Sequence, residues 1–246
     1  MTTNLQGGIN LNGSINLQPT GNTVPNPVAH YKMNDDAANT TVTDAMGSYD
    51  GTANVNTSTF STTGKINNAL YFNLGRNVNC SNIFEPNDSS FSASFWFKTG
   101  VNKAGFYLFY GSLTDEWWGV QLSGVDGSIV FSVDDDSTKT QFNSTSNGYD
   151  DNAWHHCVVV RDTVNNDLYI YVDTESANTT DNTGDITNSS YNDYYIGTGR
   201  NDSGLTQEAE ESSIDDVRIY NFKLTLDEVG AIYNSGNGTE EQNPSY

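Results

Sequence analysis

Residues 155–161 and 168–173 read His155-His156-Cys157-Val158-Val159-Val160-Arg161 and Leu168-Tyr169-Ile170-Tyr171-Val172-Asp173. Both are short apolar or alternating runs, rich in β-branched and aromatic residues and set between clusters of Asn and Asp, which marks them as strands. Runs of the same kind recur outward in both directions: Val28–Met33, Ala69–Asn73, Phe91–Lys98, Phe106–Tyr110, Gly119–Leu122, Ser128–Val133, Tyr194–Gly197 and Ser213–Tyr220. So many short strands separated by Asn, Asp, Gly, Ser and Thr predict an all-β, two-sheet antiparallel sandwich. One helix is expected, near the C-terminus. Thr225-Leu226-Asp227-Glu228 fits a capping box, and Gly236 is the expected stop after Ile232-Tyr233.

The 246 residues suit a single large β domain. Leu, Ile, Val and Phe make up about 21% of the chain, just above the level of roughly 20% below which highly charged chains tend to be disordered. The 14 Tyr and 4 Trp add large apolar faces that complete a core. Ten Lys and Arg stand against 31 Asp and Glu, a formal net charge of −21. A surface so acidic repels a phosphate backbone or an anionic membrane at long range, so nucleic acid and membrane insertion are not expected. There is no apolar run of 18 residues to span a bilayer as a helix, and Met1–Gly8 lacks the basic start and apolar stretch of a secretory signal. Cys80 and Cys157 are too few for a disulfide framework and lack metal-ligand spacing, so both are expected as free thiols filling apolar space.

Three of the five prolines, Pro19, Pro25 and Pro27, precede residue 28. Residues 1–27 are therefore expected to form an extended N-terminal arm, with Ile9-Asn10-Leu11 and Ile15-Asn16-Leu17 joined through Asn12-Gly13 as a hairpin. Residues 28–236 form the domain and 237–246 a polar tail. Since an isolated hairpin is marginal in water, the arm needs either a neighbouring subunit or the chain's own domain to hold it.

The segments resemble the laminin-G-like, concanavalin-A-like jelly rolls of lectins and pentraxin relatives, over about residues 28–235. The resemblance rests on Ala29-His30-Tyr31-Lys32-Met33-Asn34-Asp35, Gly64-Lys65-Ile66-Asn67-Asn68-Ala69-Leu70-Tyr71-Phe72 and Phe91–Phe97. Its most specific stretches are Trp154–Val158, Leu168–Asp173 and Ile214-Asp215-Asp216-Val217-Arg218-Ile219-Tyr220. It implies a jelly roll, a fold that hosts sugar binding, adhesion, hydrolysis and scaffolding. Phe91–Phe97 lacks the cysteine that pentraxins pair with the one in their His-x-Cys stretch, and the pentraxin calcium loop is absent, so phosphocholine-type binding is not implied.

The resemblance also implies a structural Ca2+ tying the first strand's loop to the last strand, through Asn34, Asp44 and Asp215, with Asp36 and Asp50 in reserve. Asp215 shares strand parity with Val217 and Ile219 and is expected to face inward, where a carboxylate needs a cation or backbone amides. For a sugar, Trp117 and Trp118 with Tyr107, Tyr110 and Asp115 are the candidates, because adjacent tryptophans on a strand cannot both face the core. His155 and His156 are expected to be structural. No Glu-x-Asp-x-x-Glu motif provides the paired carboxylates of a glycosidase, and Glu208, Glu210 and Glu211 lie in a polar stretch.

The leading functional expectation is a non-enzymatic exterior structural or adhesion protein of a larger assembly, a phage virion component such as a capsid decoration, fibre or tail-associated module. Residues 1–27 would join it to neighbouring subunits or to capsid or tail proteins, as a homo-oligomer on the virion surface, with a cell-surface glycan as a further partner. The alternative is a free or secreted, extracellular carbohydrate-binding lectin module. A glycoside hydrolase is third.

Overall fold

The structure is a computed structural model that describes residues 22–73, 75–187 and 191–246. Its strands, in chain order, are β1 (Ala29–Tyr31), β2 (Thr41–Val42), β3 (Gly51–Ala53), β4 (Ser61–Thr63), β5 (Asn68–Phe72), β6 (Val78–Cys80), β7 (Phe91–Thr99), β8 (Gly105–Gly111) and β9 (Trp117–Leu122). They continue with β10 (Ile129–Asp134), β11 (Lys139–Asn143), β12 (His155–Asp162), β13 (Asp167–Val172), β14 (Glu175–Thr180), β15 (Tyr194–Ile196), β16 (Gly199–Asn201), β17 (Gly204–Thr206) and β18 (Ser212–Tyr220). One sheet runs β14-β13-β12-β7-β18-β5-β4 with β1 also on β18, the other β11-β10-β9-β8-β15-β6-β3-β2, and β16 pairs with β17. The pairing between these strands is antiparallel, as in a jelly-roll sandwich.

Period-two alternation decides which side chains meet between the sheets. Phe91, Ala93, Phe95 and Phe97 of β7 point inward with Leu168, Ile170 and Val172 of β13, against Trp118, Val120 and Phe131 of the facing sheet. The intervening residues of the first sheet are also covered. Val158, Val160 and Tyr220 pack under Leu224, Val229 and Ile232 of the C-terminal segment, together with Val24. Helix α1 (Leu226–Tyr233) has the expected capping box: Glu228 N donates to Thr225 Oγ1, and Thr225 N donates to Glu228 Oε2 at 2.7 Å. It stops before the expected glycine, because Asn234 takes the left-handed conformation at φ 50°. Tyr233 lays its ring on Trp96, centroids 5.7 Å apart and planes 15° from parallel.

The Ile9–Leu17 hairpin, and residues 1–21 of the arm as a whole, lie outside the described residues. Residues 22–24 run beside the chain's own tail: Val24 N donates to Pro244 O at 2.9 Å, Tyr246 N donates to Asn22 O at 2.9 Å, and Val24 is fully buried.

One irregularity changes the reading of β18. Asp215 pairs with Trp96 of β7 but Arg218 pairs with Ser94, so three steps on one strand match two on the other. Asp216, at φ 48°, takes up the extra residue of this bulge. Ile214, Val217 and Ile219 consequently face the core, while Asp215 shares the opposite face with Trp96. The expected common parity of Asp215 with Val217 and Ile219 is therefore corrected: Asp215 is buried, but beneath the Gly64–Ile66 loop on the outer side of the sheet.

Candidate functional site

The expected sugar site at the tryptophans is not presented to solvent. Strand alternation does send the two rings to opposite faces, yet both are covered. Trp118 is in the core against Phe91, with ring centroids 4.8 Å apart. Trp117 lies on the outer face and is only 3% exposed, stacked on Phe109 at 5.5 Å, edge-on to Phe106, with the Lys139 ammonium 4.8 Å from its ring centre. The β16–β17 hairpin closes over this cluster so tightly that a Cβ on Gly199 would lie 2.6 Å from the Phe106 ring. Tyr107 and Tyr110 are core residues, and Asp115 sits in the turn before β9. These five residues therefore form no exposed aromatic surface.

The expected calcium donors are divided. Asp44 is buried with both oxygens occupied by backbone amides: Oδ1 accepts from His30 N at 2.9 Å and Met46 N at 3.0 Å, and Oδ2 from Ser48 N and Tyr49 N at 3.0 Å each. Asp50 in turn accepts from Asp44 N, and Asp36 is exposed. Asn34 reaches elsewhere, accepting from Asn68 N at 2.9 Å and donating to Glu240 Oε1 at 2.8 Å. Asp215 accepts from Ile66 N at 2.9 Å through Oδ2, and among the described residues its Oδ1 has no hydrogen-bond partner. Burial pushes its carboxyl up to about 8, so it carries a proton near neutrality. Asn34 and Asp215 share the 64–68 loop, but Asp44 is committed to its own turn. Among the described residues no group of three or more His, Cys, Asp or Glu side chains converges as a metal site would. This donor set does not fit a shared Ca2+, which needs six to eight oxygens.

The aromatic surface lies elsewhere, on the stretch that decides the fold. Leu168, Ile170 and Val172 face the core, so Tyr169 and Tyr171 face out. They are half-buried, with ring centroids 6.1 Å apart and planes 10° from parallel. Asn178 and Ser176 of β14 are their register partners and extend the face with polar groups. On the other side is a hollow of about 220 Å3 between the tyrosines, the β12–β13 turn and the segment leading into α1. Asp162 organises it. Its Oδ2 accepts from Asn165 Nδ2 at 2.7 Å and from Lys223 Nζ at 2.8 Å, and its Oδ1 accepts from Val164 N at 3.1 Å. Burial raises the Asp162 pKa, but Lys223 and Asn165 outweigh it and hold the carboxyl below the usual range, so it is ionised. Burial lifts the pKa of both tyrosines, with Asp167 adding to that of Tyr169, and both hydroxyls remain protonated donors. The signal for this pair was the Tyr-Ile-Tyr alternation itself. What strand parity lacked was which outward face stays open.

Beneath the chain's tail lies a buried charged network that sequence reasoning missed. His30 Nε2 is 2.6 Å from Asp216 Oδ1, and Arg218 Nη2 is 3.1 Å from Asp216 Oδ2. Arg218 also donates to the carbonyls of Glu241, at 2.8 Å, and Thr239. Burial opposes the charge on Asp216, but Arg218 and His30 outweigh it and hold the carboxyl below the usual range. His156 is different: burial pushes its pKa down to about 4, so it stays neutral beside Ser94, 2.9 Å away. Arg218, anchored by Asp216, thus holds the tail against the sheet through the Thr239 and Glu241 carbonyls.

A family model described as the concanavalin A-like lectin/glucanases superfamily matches residues 67–230. A search of curated proteins found no match. Among solved structures, domain 4 of AbnA, a GH43 extracellular arabinanase from Geobacillus stearothermophilus, in complex with arabinotriose, aligns with a TM-score of 0.63 at 19% identity, over 87% of this chain and 98% of that one. A botulinum neurotoxin type C structure, reported with the dependence of cell entry on two ganglioside molecules, aligns with a TM-score of 0.61 at 14% identity, over 85% of this chain and 51% of that one. The binding domain of botulinum neurotoxin DC in complex with rat synaptotagmin II gives the same TM-score, identity and coverage. The chain spans about half the length of these neurotoxin chains, and at such identities the likeness is one of fold.

Proposed function

Since the chain belongs to the concanavalin A-like lectin/glucanases superfamily, we propose that it is a non-catalytic carbohydrate-binding module whose ligand face is Tyr169 and Tyr171 with Asp162, Asn165 and Lys223. The observation that carries this reading is the pair of near-parallel tyrosines left open on the outer sheet face beside amide, carboxylate and ammonium groups. Apolar rings give a sugar's carbon face somewhere to rest, and the few fixed polar groups orient its hydroxyls. Two structures of similar fold support it: the arabinanase domain was solved with arabinotriose, and the neurotoxin depends on gangliosides for cell entry. A panel of immobilised glycans tests it. Wild type is expected to be retained on at least one glycan, and Tyr169→Ala/Tyr171→Ala to lose that retention while melting as a folded protein. Retention of the variant at wild-type strength overturns the site. No polysaccharide on the panel is expected to be cleaved.

The proposal extends to setting. The net charge of −21 suits a crowded, solvent-facing exterior, and we place the module on the outside of a larger assembly, such as a phage virion, joined through residues 1–27 as a homo-oligomer. Light scattering and proteolysis of intact particles test this: a monomer whose residues 1–27 are cleaved counts against it. A free, extracellular lectin module is the second reading, favoured by the pairing of residues 22–24 with the chain's own tail.

A further inference from the structure

The hollow beside Tyr169 and Tyr171 is about 220 Å3, below the range of roughly 300–1,000 Å3 typical of small-molecule sites. It does not end there. Leu226, 58% exposed, also lines a trough of about 670 Å3 that runs beside α1. The helix contributes Leu226, Asp227, Gly230 and Ala231, which at this spacing lie along one side of it, and Asn234 and Ser235 of the turn that follows extend the lining past its end. Asn22, Ser245 and Tyr246 form the opposite wall, and Tyr246 is 41% exposed. That wall is fixed by the backbone pairing of residues 22–24 with the chain's tail, itself held at Thr239 and Glu241 by Arg218, so the trough is a built feature. Among the described residues a Cβ at Gly230 would meet nothing within 4 Å, which leaves the floor open at mid-helix.

The chemistry of the lining narrows the occupant. Asp162 and Asp227 are its carboxylates, and Lys223, its cation, is already committed to Asp162. With a chain charge of −21 around it, an anionic ligand is repelled, whereas carboxylate and amide oxygens accept from sugar hydroxyls. Resting on the binding face proposed above, we infer that the site takes a neutral, linear oligosaccharide, which starts on Tyr169 and Tyr171, crosses Leu226 and continues along α1 to Tyr246. Tyr246 is then a second aromatic contact, and affinity depends on chain length.

Calorimetric titration with neutral xylo-, manno-, cello-, malto- and arabino-oligosaccharides of two to six units, and with oligogalacturonate as the anionic counterpart, tests this. In whichever neutral series binds, affinity is expected to rise at least about tenfold from the shortest to the longest member, and oligogalacturonate to bind at least about tenfold more weakly. Tyr246→Ala should bring the six-unit affinity down to the two-unit value. Gly230→Leu, which fills the trough at an open helical position and favours the helix, should do the same without loss of folding. A length-independent affinity, an unchanged six-unit affinity in both variants, or equal binding of oligogalacturonate overturns the inference. If the Tyr169→Ala/Tyr171→Ala variant still abolishes binding in that case, the binding face itself stands. Binding by no series at all overturns both.

Discussion

Asp215 lies opposite Trp96 across the β7–β18 ladder, on the face of the sheet that looks away from the core, because the bulge at Asp216 inserts one residue before Arg218. Its carboxyl is thereby buried under the Gly64–Ile66 loop, with Ile66 N donating to Oδ2 and, among the described residues, no hydrogen-bond partner for Oδ1.

That position has a pH signature. Burial pushes the Asp215 carboxyl up to about 8, whereas an unfolded aspartate titrates near about 3.9. The folded chain keeps a proton that the unfolded chain gives up, so this group's contribution is complete below about pH 4 and is lost as pH rises through about 8. With each pKa unit equivalent to about 1.4 kcal/mol, Asp215→Asn is expected to gain stability over wild type by a few kcal/mol between about pH 4.5 and pH 8.5. Denaturant melts at the two pH values check it. A difference that does not change with pH contradicts it.

Calcium removal should leave stability unchanged. A site filled at a hundred times its Kd adds about 2.7 kcal/mol, which moves the midpoint of a domain this size by roughly 5–10 °C. Asp44 spends both oxygens on four backbone amides and Asn34 is turned to Asn68 and Glu240, so no such shift is expected. Thermal melts with EGTA and with added Ca2+ decide this; a drop of that size restored by Ca2+ contradicts it.

Arg218→Met should destabilise the fold. It leaves Asp216 buried with His30 alone, and stripping one partner from a buried ion pair costs about 3–5 kcal/mol. It also frees the carbonyls of Thr239 and Glu241, so limited proteolysis should cut within residues 237–246 before the domain. A tail as resistant as in wild type contradicts the role given to Arg218.

Trp117→Ala separates packing from recognition. The ring fills the cluster with Phe106, Phe109 and Tyr195, so its loss should cost about 3–5 kcal/mol. Below its lowered melting temperature the variant should bind glycans as wild type does. A folded Trp117→Ala protein that has lost binding would return the site to this sheet.

The contrast between Trp117 and Tyr171 shows where sequence reading stops. Alternation in Phe91–Phe97 and Leu168–Val172 was enough to assign the strands and their inward residues, and Thr225 with Glu228 marked the helix start, because these signals are local. Whether an outward ring is covered depends on distant segments. Trp117 is covered by Phe106, Phe109 and Lys139, with Phe106 itself closed over by a hairpin at residues 199–206 that carries one large apolar residue, Leu205, while Tyr169 and Tyr171 lie at the edge of what the C-terminal segment covers. The face of Asp215 was only partly legible: the three-residue step from Ile214 to Val217 breaks the period-two alternation, but a reading anchored on Val217 and Ile219 alone puts Asp215 on the wrong face.

The most direct measurement is calorimetric titration of the glycan most strongly retained on the panel into wild type and into Tyr169→Ala/Tyr171→Ala, at a pH and temperature where both are folded. Saturable one-to-one binding to wild type, weakened at least about tenfold in the variant, a loss of about 1.4 kcal/mol or more, is the expected result. Equal affinity in the two proteins contradicts the assignment of Tyr169 and Tyr171 as the ligand face.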